Sequence, residues 1–97
     1  MLKYNKDNEK IVGTIAIKNK GNNIAELKRL YIDSNYRGKG YGSQLVDKTL
    51  QYCKERKFTK VILYTWVRFE KAKILYKSKG FKTTHTQGEQ IFMEKEI

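Results

Sequence analysis

Between Gly40 and Arg56 the positions Leu45, Val46, Thr49, Leu50 and Cys53 recur at three- and four-residue intervals, which predicts an amphipathic helix with one buried face. Upstream the pattern is strand-like. Runs from Lys10 to Lys18 and from Ile24 to Ile32 flank Gly21-Asn22-Asn23 and predict an antiparallel hairpin, with Leu2 to Tyr4 as a short strand beside it. Val61-Ile62-Leu63-Tyr64 is a continuous β-branched and aromatic run, expected of a strand buried on both faces and reached by a helical crossover. Residues 24–32, the helix and this strand then form a β-α-β unit. A second helix is predicted from Phe69 to Lys79, with Phe69, Ala72, Tyr76 and Lys79 on one face and Gly80 as its stop. Phe81 to Thr86 and Gln90 to Glu96 read as two strands around Gln87-Gly88-Glu89. The fold class is α/β (α+β): a mixed sheet with helices packed on it, a central β-α-β unit, and a C-terminal helix plus hairpin.

Composition narrows this picture. At 97 residues the chain is expected to form a single domain, 1–97, with one core. The lone Cys53 allows no internal disulfide, and no Cys/His spacing suggests zinc, which fits a reducing, cytoplasmic setting. The N-terminus lacks an apolar signal core and the longest apolar run is far short of a membrane span, so a soluble, unprocessed protein and no membrane partner are expected. Lys and Arg number 21 against 10 Asp and Glu, a formal +11. That field suits nucleic acid, an anionic membrane or a polyanionic small molecule, and lysine-rich composition accounts for it equally well.

The chemistry concentrates in Leu30-Tyr31-Ile32-Asp33-Ser34-Asn35-Tyr36-Arg37-Gly38-Lys39-Gly40-Tyr41-Gly42-Ser43, a strand, a turn with three glycines, and a helix start. Glycines let a ligand approach bare backbone amides, and the first helical turn with its dipole is an anion site. Arg37 and Lys39 add full charges. The plainer reading of the same glycines is a tight strand-to-helix connection. No P-loop, GxSxG or metal motif accompanies it.

Arg37-x-x-Gly40-x-Gly42 resembles the pyrophosphate loop of GNAT (GCN5-related) N-acetyltransferases. Ala72-Lys73-Ile74-Leu75-Tyr76-Lys77-Ser78-Lys79-Gly80-Phe81 is similar to that family's A-x-x-L-Y-x-x-x-G-F segment, and Ala25 to Ile32 to its central strand. The resemblance implies an acetyl-CoA-dependent N-acetyltransferase acting on a primary amine of an unidentified acceptor. It implies that Leu30-Tyr31-Ile32 runs beside the pantetheine arm, where the central strand splays from Val61 to Tyr64. Arg37, Gly38, Lys39, Gly40, Tyr41, Gly42 and Ser43 would hold the pyrophosphate. Tyr76 would protonate the leaving thiolate. Glu26 matches the general-base position of histone acetyltransferases in the superfamily, and an exposed strand glutamate is its other reading.

Two departures from the family pattern stand out. An asparagine common three residues before the helix alanine is Phe69 here, as in some acetyltransferase domains fused to winged-helix regulators. The N-terminal strand and two helices that wall the acceptor pocket have no counterpart, which resembles abbreviated members. An acceptor site that is open, or completed by a second chain in a homodimer through Leu2, Tyr4, Ile11 and Ile15, is therefore expected. An alternative is an inactive acetyl-CoA-binding regulatory module. A nucleic-acid-binding role rests on charge alone. His85 is read as structural or solvated, Cys53 as a small apolar filler, and the tyrosines and Trp66 as core packing rather than a stacking surface for nucleic acid.

Overall fold

The computed structural model describes residues 2–6 and 10–97, with side chains from residue 13 onward. Six strands and two α-helices follow in the order β1 (Leu2–Lys6), β2 (Lys10–Gly21), β3 (Ile24–Ile32), α1 (Tyr41–Glu55), β4 (Lys60–Trp66), α2 (Glu70–Ser78), β5 (Lys82–Gln87) and β6 (Gln90–Glu96). The strands form one sheet ordered β1-β2-β3-β4-β6-β5. Among the described residues only β3 and β4 pair in parallel, joined by the α1 crossover that the sequence pattern predicts.

Local chemistry sets the connections. Asn22 and Asn23 both take positive φ, 55° and 63°, the geometry of a two-residue hairpin loop whose twist matches that of its strands. Both helices end in the same way. Phe58 N–H donates to the Cys53 carbonyl past Lys57 at φ 69°, and Phe81 N–H donates to the Tyr76 carbonyl past Gly80 at φ 93°. In each, a left-handed residue turns the chain so that a following apolar residue packs back on the helix. For α2 that contact is Phe81 edge-on to Tyr76, with ring centroids 5.7 Å apart.

Strand alternation divides the sheet into two unlike faces. Ile15, Ala25, Leu27, Val61, Leu63 and Met93 are buried with Leu45, Val46 and Cys53 of α1 and Tyr76 of α2. Lys79 Nζ reaches Asp47 at 2.9 Å and ties the two helices together. The intervening residues Glu26, Ile62, Tyr64 and Phe92 point to the other face, which no helix covers among the described residues. The expectation that residues 61–64 are buried on both faces is therefore wrong: Ile62 is half-buried and Tyr64 is 44% exposed.

The tyrosines need the same correction, since Tyr76 is buried but Tyr31 and Tyr64 are exposed and Tyr36, Tyr41 and Tyr52 lie half-buried. Ile15 cannot supply a dimer surface because it is fully buried. The side chains of Leu2, Tyr4 and Ile11, offered for the same surface, lie outside the described residues.

Candidate active site

β3 and β4 pair at only three rungs, Ile24 with Lys60, Ala25 with Val61 and Glu26 with Ile62. Beyond Glu26 they part, because β4 follows β6 along its whole length while β3 stays with β2 as far as Ile32. A bulge accompanies this divergence. Thr14 faces Tyr31 while Ala16 faces Lys28, so β3 carries one residue more than β2 across that interval. The extra step is taken at Arg29, whose φ of 57° is rare for a side chain of this size. The resulting cleft, about 380 Å³, is lined by Leu27 to Leu30, by Tyr64, Thr65 and Trp66, and by Phe69, Ala72 and Tyr76 of the α2 segment.

At the far end of β3 the chain makes a 3-10 turn, Ser34–Tyr36, held by Asp33 Oδ1 accepting from the Asn35 amide at 2.9 Å. Arg37 then folds back, its Nε donating to the Ile32 carbonyl at 2.9 Å and its guanidinium lying 5.7 Å from the Tyr31 ring centre. Gly38 and Gly40 have φ of 77° and 83°, and a Cβ built on either would meet no protein atom within 4 Å. Gly40 is the N-cap of α1 and, being glycine, offers no side-chain cap to that terminus. An open, uncapped helix N-terminus with exposed Lys39 beside it is a cradle of the right chemistry for phosphate oxygens. Tyr41 and Ser43, half-buried, and Gly42 form the first turn, with Tyr41 edge-on to Tyr36 at 5.8 Å. Gly42 lies against Leu75 of α2 and Ile32 of β3, so the cradle adjoins both the β3 terminus and α2.

The two proposed catalytic side chains approach the split from opposite sides of the sheet. Tyr76 comes from the helical layer and lines the cleft. Its hydroxyl makes no hydrogen bond to the described residues, and burial raises its pKa above the ordinary tyrosine value of 10.0. Glu26 sits at the last rung, on the open face. Its side chain is 12% exposed, and Oε1, buried and without a hydrogen bond, lies 3.5 Å from Lys28 Nζ and 3.9 Å from Lys20 Nζ. The reading of Glu26 as an exposed strand glutamate therefore does not hold.

Leu30 lines the cleft, whereas the Ile32 carbonyl is already occupied by Arg37 and Tyr31 is 51% exposed. Phe69, at the asparagine position, is the N-cap of α2 and borders the cleft. The bulge at Arg29, the cleft residue Thr65 and the Arg68 guanidinium 5.5 Å from the Trp66 ring centre escaped sequence reading. Sequence carried no signal for the first, since nothing in Lys28-Arg29-Leu30 departs from strand-like composition. Cys53 is buried in the core, as expected, and burial raises its thiol pKa. Among the described residues no group of acidic, His or Cys side chains is placed to hold a metal ion, and no helix is long and apolar enough to cross a membrane.

Comparison with known proteins agrees with this geometry. Residues 2–81 match the model of the acetyltransferase (GNAT) family. The chain is 39% identical over 74 residues to an N-acetylaspartate synthetase from Xenopus tropicalis and 35% identical over 75 residues to N-acetyltransferase 8 from Rattus norvegicus, each match covering 75% of this chain. It spans 27% and 34% of those proteins' lengths. Among solved structures, the PaiA N-acetyltransferase of Thermoplasma acidophilum in complex with coenzyme A superposes with a TM-score of 0.86 at 28% identity, over 95% of this chain and 57% of that one. Because the family match runs from β1 past the glycine turn and the split to Tyr76 and Phe81, the chain belongs to the GNAT acetyltransferase family.

Proposed function

We propose that residues 1–97 act as one acetyl-CoA-binding unit that transfers an acetyl group to a primary amine. The observation that carries this reading is the continuity of three features: the uncapped N-terminus of α1 at Gly40, the split between β3 and β4, and Tyr76 within that split. A phosphate-bearing ligand anchored at the first can lay an extended arm along the second and present its end near the third. When bound, acetyl-CoA supplies a thioester whose acetyl carbon is transferred and whose thiolate leaves.

The chain's own residues supply position and protons. Amides from Gly38 to Ser43 hold the pyrophosphate, with Arg37 and Lys39 adding charge. The β4-facing backbone of β3 beyond Glu26, released from sheet pairing, is available to the pantetheine arm, with Leu30 lining the cleft beside it. Glu26 takes a proton from the acceptor ammonium, leaving the nitrogen lone pair to form the new N–C bond as the C–S bond breaks. Tyr76, kept protonated by burial, gives its proton to the departing sulfur. Entry of acceptor and cofactor from opposite faces keeps the two from competing for one opening.

The relatives, an N-acetylaspartate synthetase and N-acetyltransferase 8, support N-acetyl transfer as the reaction class, and the coenzyme A complex of the PaiA enzyme supports the cofactor. A free, buried Cys53 is compatible with a reducing cytoplasm. Titration with coenzyme A, followed by a thiol-release screen over amino acids, polyamines, aminoglycosides and lysine peptides, tests the reading. Coenzyme A binding without thiol release on any amine would instead favour an acetyl-CoA-sensing module.

A further inference from the structure

On the open face, three aromatic side chains from three adjacent strands form a row. His85 of β5 stacks on Phe92 of β6, with centroids 4.3 Å apart and planes 8° from parallel, and Phe92 meets Tyr64 of β4 at 5.8 Å and 38°. The register makes this row continuous, since His85 faces Phe92 and Phe92 faces Tyr64. Its next neighbour across the sheet would be a β3 side chain, but β3 has already parted from β4 at the Glu26–Ile62 rung. The row therefore ends on Tyr64, which is 44% exposed and lines the cleft.

Charge around that open end is asymmetric. Lys28 and Arg29 line the same cleft, and Lys20 joins Lys28 beside Glu26. Glu26 thus has two lysines beside it, with Arg29 on the same cleft. A positively charged acceptor such as a polyamine would meet net repulsion there, whereas an amine that also carries a carboxylate would have partners for both groups.

We propose, resting on the acetyl-transfer reading, that the acceptor is an aromatic α-amino acid whose ring stacks on Tyr64 as a fourth member of the His85–Phe92–Tyr64 row. Its amine lies at Glu26, the last paired residue of β3, and its carboxylate is taken by Lys28 and Arg29. Tyr64 sits two residues beyond Ile62, the partner of Glu26, on the same face, so the two flank the mouth of the split diagonally. An aromatic α-amino acid carries its ring and its amine on one short side chain and so presents both groups to that mouth. Aliphatic amino acids leave Tyr64 wet, and decarboxylated aromatic amines leave the cations unpaired.

Calorimetric titration of L-phenylalanine, L-alanine and phenethylamine into the intact chain, with and without coenzyme A, tests the inference. Phenylalanine is expected to bind at least about tenfold more tightly than either comparison compound, the size of one well-stacked ring or one charged contact. Tyr64→Ala, an exposed position whose folding is checked by thermal melting, should bring phenylalanine to the level of alanine, and Tyr64→Phe should keep the preference. Equal affinity for alanine, a preference for phenethylamine, no detectable phenylalanine binding, or an unchanged preference in Tyr64→Ala each overturns the proposal. Coenzyme A titrated alone reports separately on the acetyl-transfer reading. A chain that binds coenzyme A and ignores phenylalanine loses only the acceptor assignment.

Discussion

Arg37 Nε and the Ile32 carbonyl oxygen, 2.9 Å apart, clamp the start of the glycine turn to the end of β3. Nε binds the strand, so the outward edge of the guanidinium is left for a ligand, and one residue both shapes the cradle and charges it. Arg37→Ala is expected to weaken coenzyme A binding by at least about tenfold, ~1.4 kcal/mol, with Arg37→Lys recovering little of it because an ammonium cannot bond the carbonyl and a phosphate in the same fork. Calorimetry on the two variants decides this. Equal affinities across wild type, Ala and Lys would reduce Arg37 to a surface charge.

The glycines separate into structural and ligand-facing positions. A Cβ on Gly13 would lie 2.6 Å from Ile32 Cδ1 and 2.7 Å from the Tyr31 carbonyl oxygen, a clash with backbone that cannot rotate away. Gly13→Ala should destabilise the chain by about 1–3 kcal/mol and disturb the end of β3. A Cβ on Gly42 meets Leu75 and Ile32 at 3.7 and 3.8 Å, ordinary contacts, so Gly42→Ala should melt close to wild type. Parallel thermal melts check the contrast, and a Gly42→Ala loss as large as that of Gly13→Ala would contradict it.

Tyr76→Phe keeps the ring against Phe81 and removes the proton donor. Turnover on any accepted amine should fall by roughly 10² or more while coenzyme A affinity stays within a few fold. A wild-type rate would leave Tyr76 as a packing residue. The same burial predicts alkaline instability. Both Tyr76 and Cys53 have folded pKa values raised above 10.0 and 9.0, so their contribution to stability is intact below those values. Above pH ~9 the unfolded chain ionises first and stability declines. Melting curves from pH 7 to 10.5 should show that decline beginning earlier in wild type than in Cys53→Ala.

Glu26→Gln preserves size and leaves the cofactor cradle untouched. Turnover should drop by about 10² or more near neutral pH and recover in part at higher pH, where more acceptor amine is already neutral. Coenzyme A affinity should not change. If rate and pH profile both match wild type, Glu26 serves only as the counter-ion of Lys20 and Lys28.

Much of this was legible in the sequence. Three- and four-residue spacing located α1, Gly80 marked the end of α2, and the glycine turn announced a helix start with open amides, because local periodicity and left-handed backbone depend on near neighbours. The rest depends on register. Whether Tyr64 is buried turns on which face the helices cover, and the His85–Phe92–Tyr64 row needs three strands distant in sequence to align. The Arg29 bulge, which lies where β3 runs with β2 and no longer with β4, depends on the pairings of three strands and leaves no mark on composition.

The proposed anchoring of coenzyme A phosphates at the Gly40 turn, with the arm along the β3–β4 split, is decided by calorimetric titration of coenzyme A into wild type and Gly40→Val. Apart from its chain neighbours, no protein atom lies within 4 Å of a Cβ at Gly40, so a valine there projects into the open space proposed for the phosphates, and its φ of 83° adds about 1–2 kcal/mol of backbone strain to be tracked by melting. Saturable binding of one coenzyme A per wild-type chain is expected, with at least about tenfold weaker binding, ~1.4 kcal/mol, to a folded Gly40→Val. No saturable binding to wild type, or the same affinity in both, would contradict it.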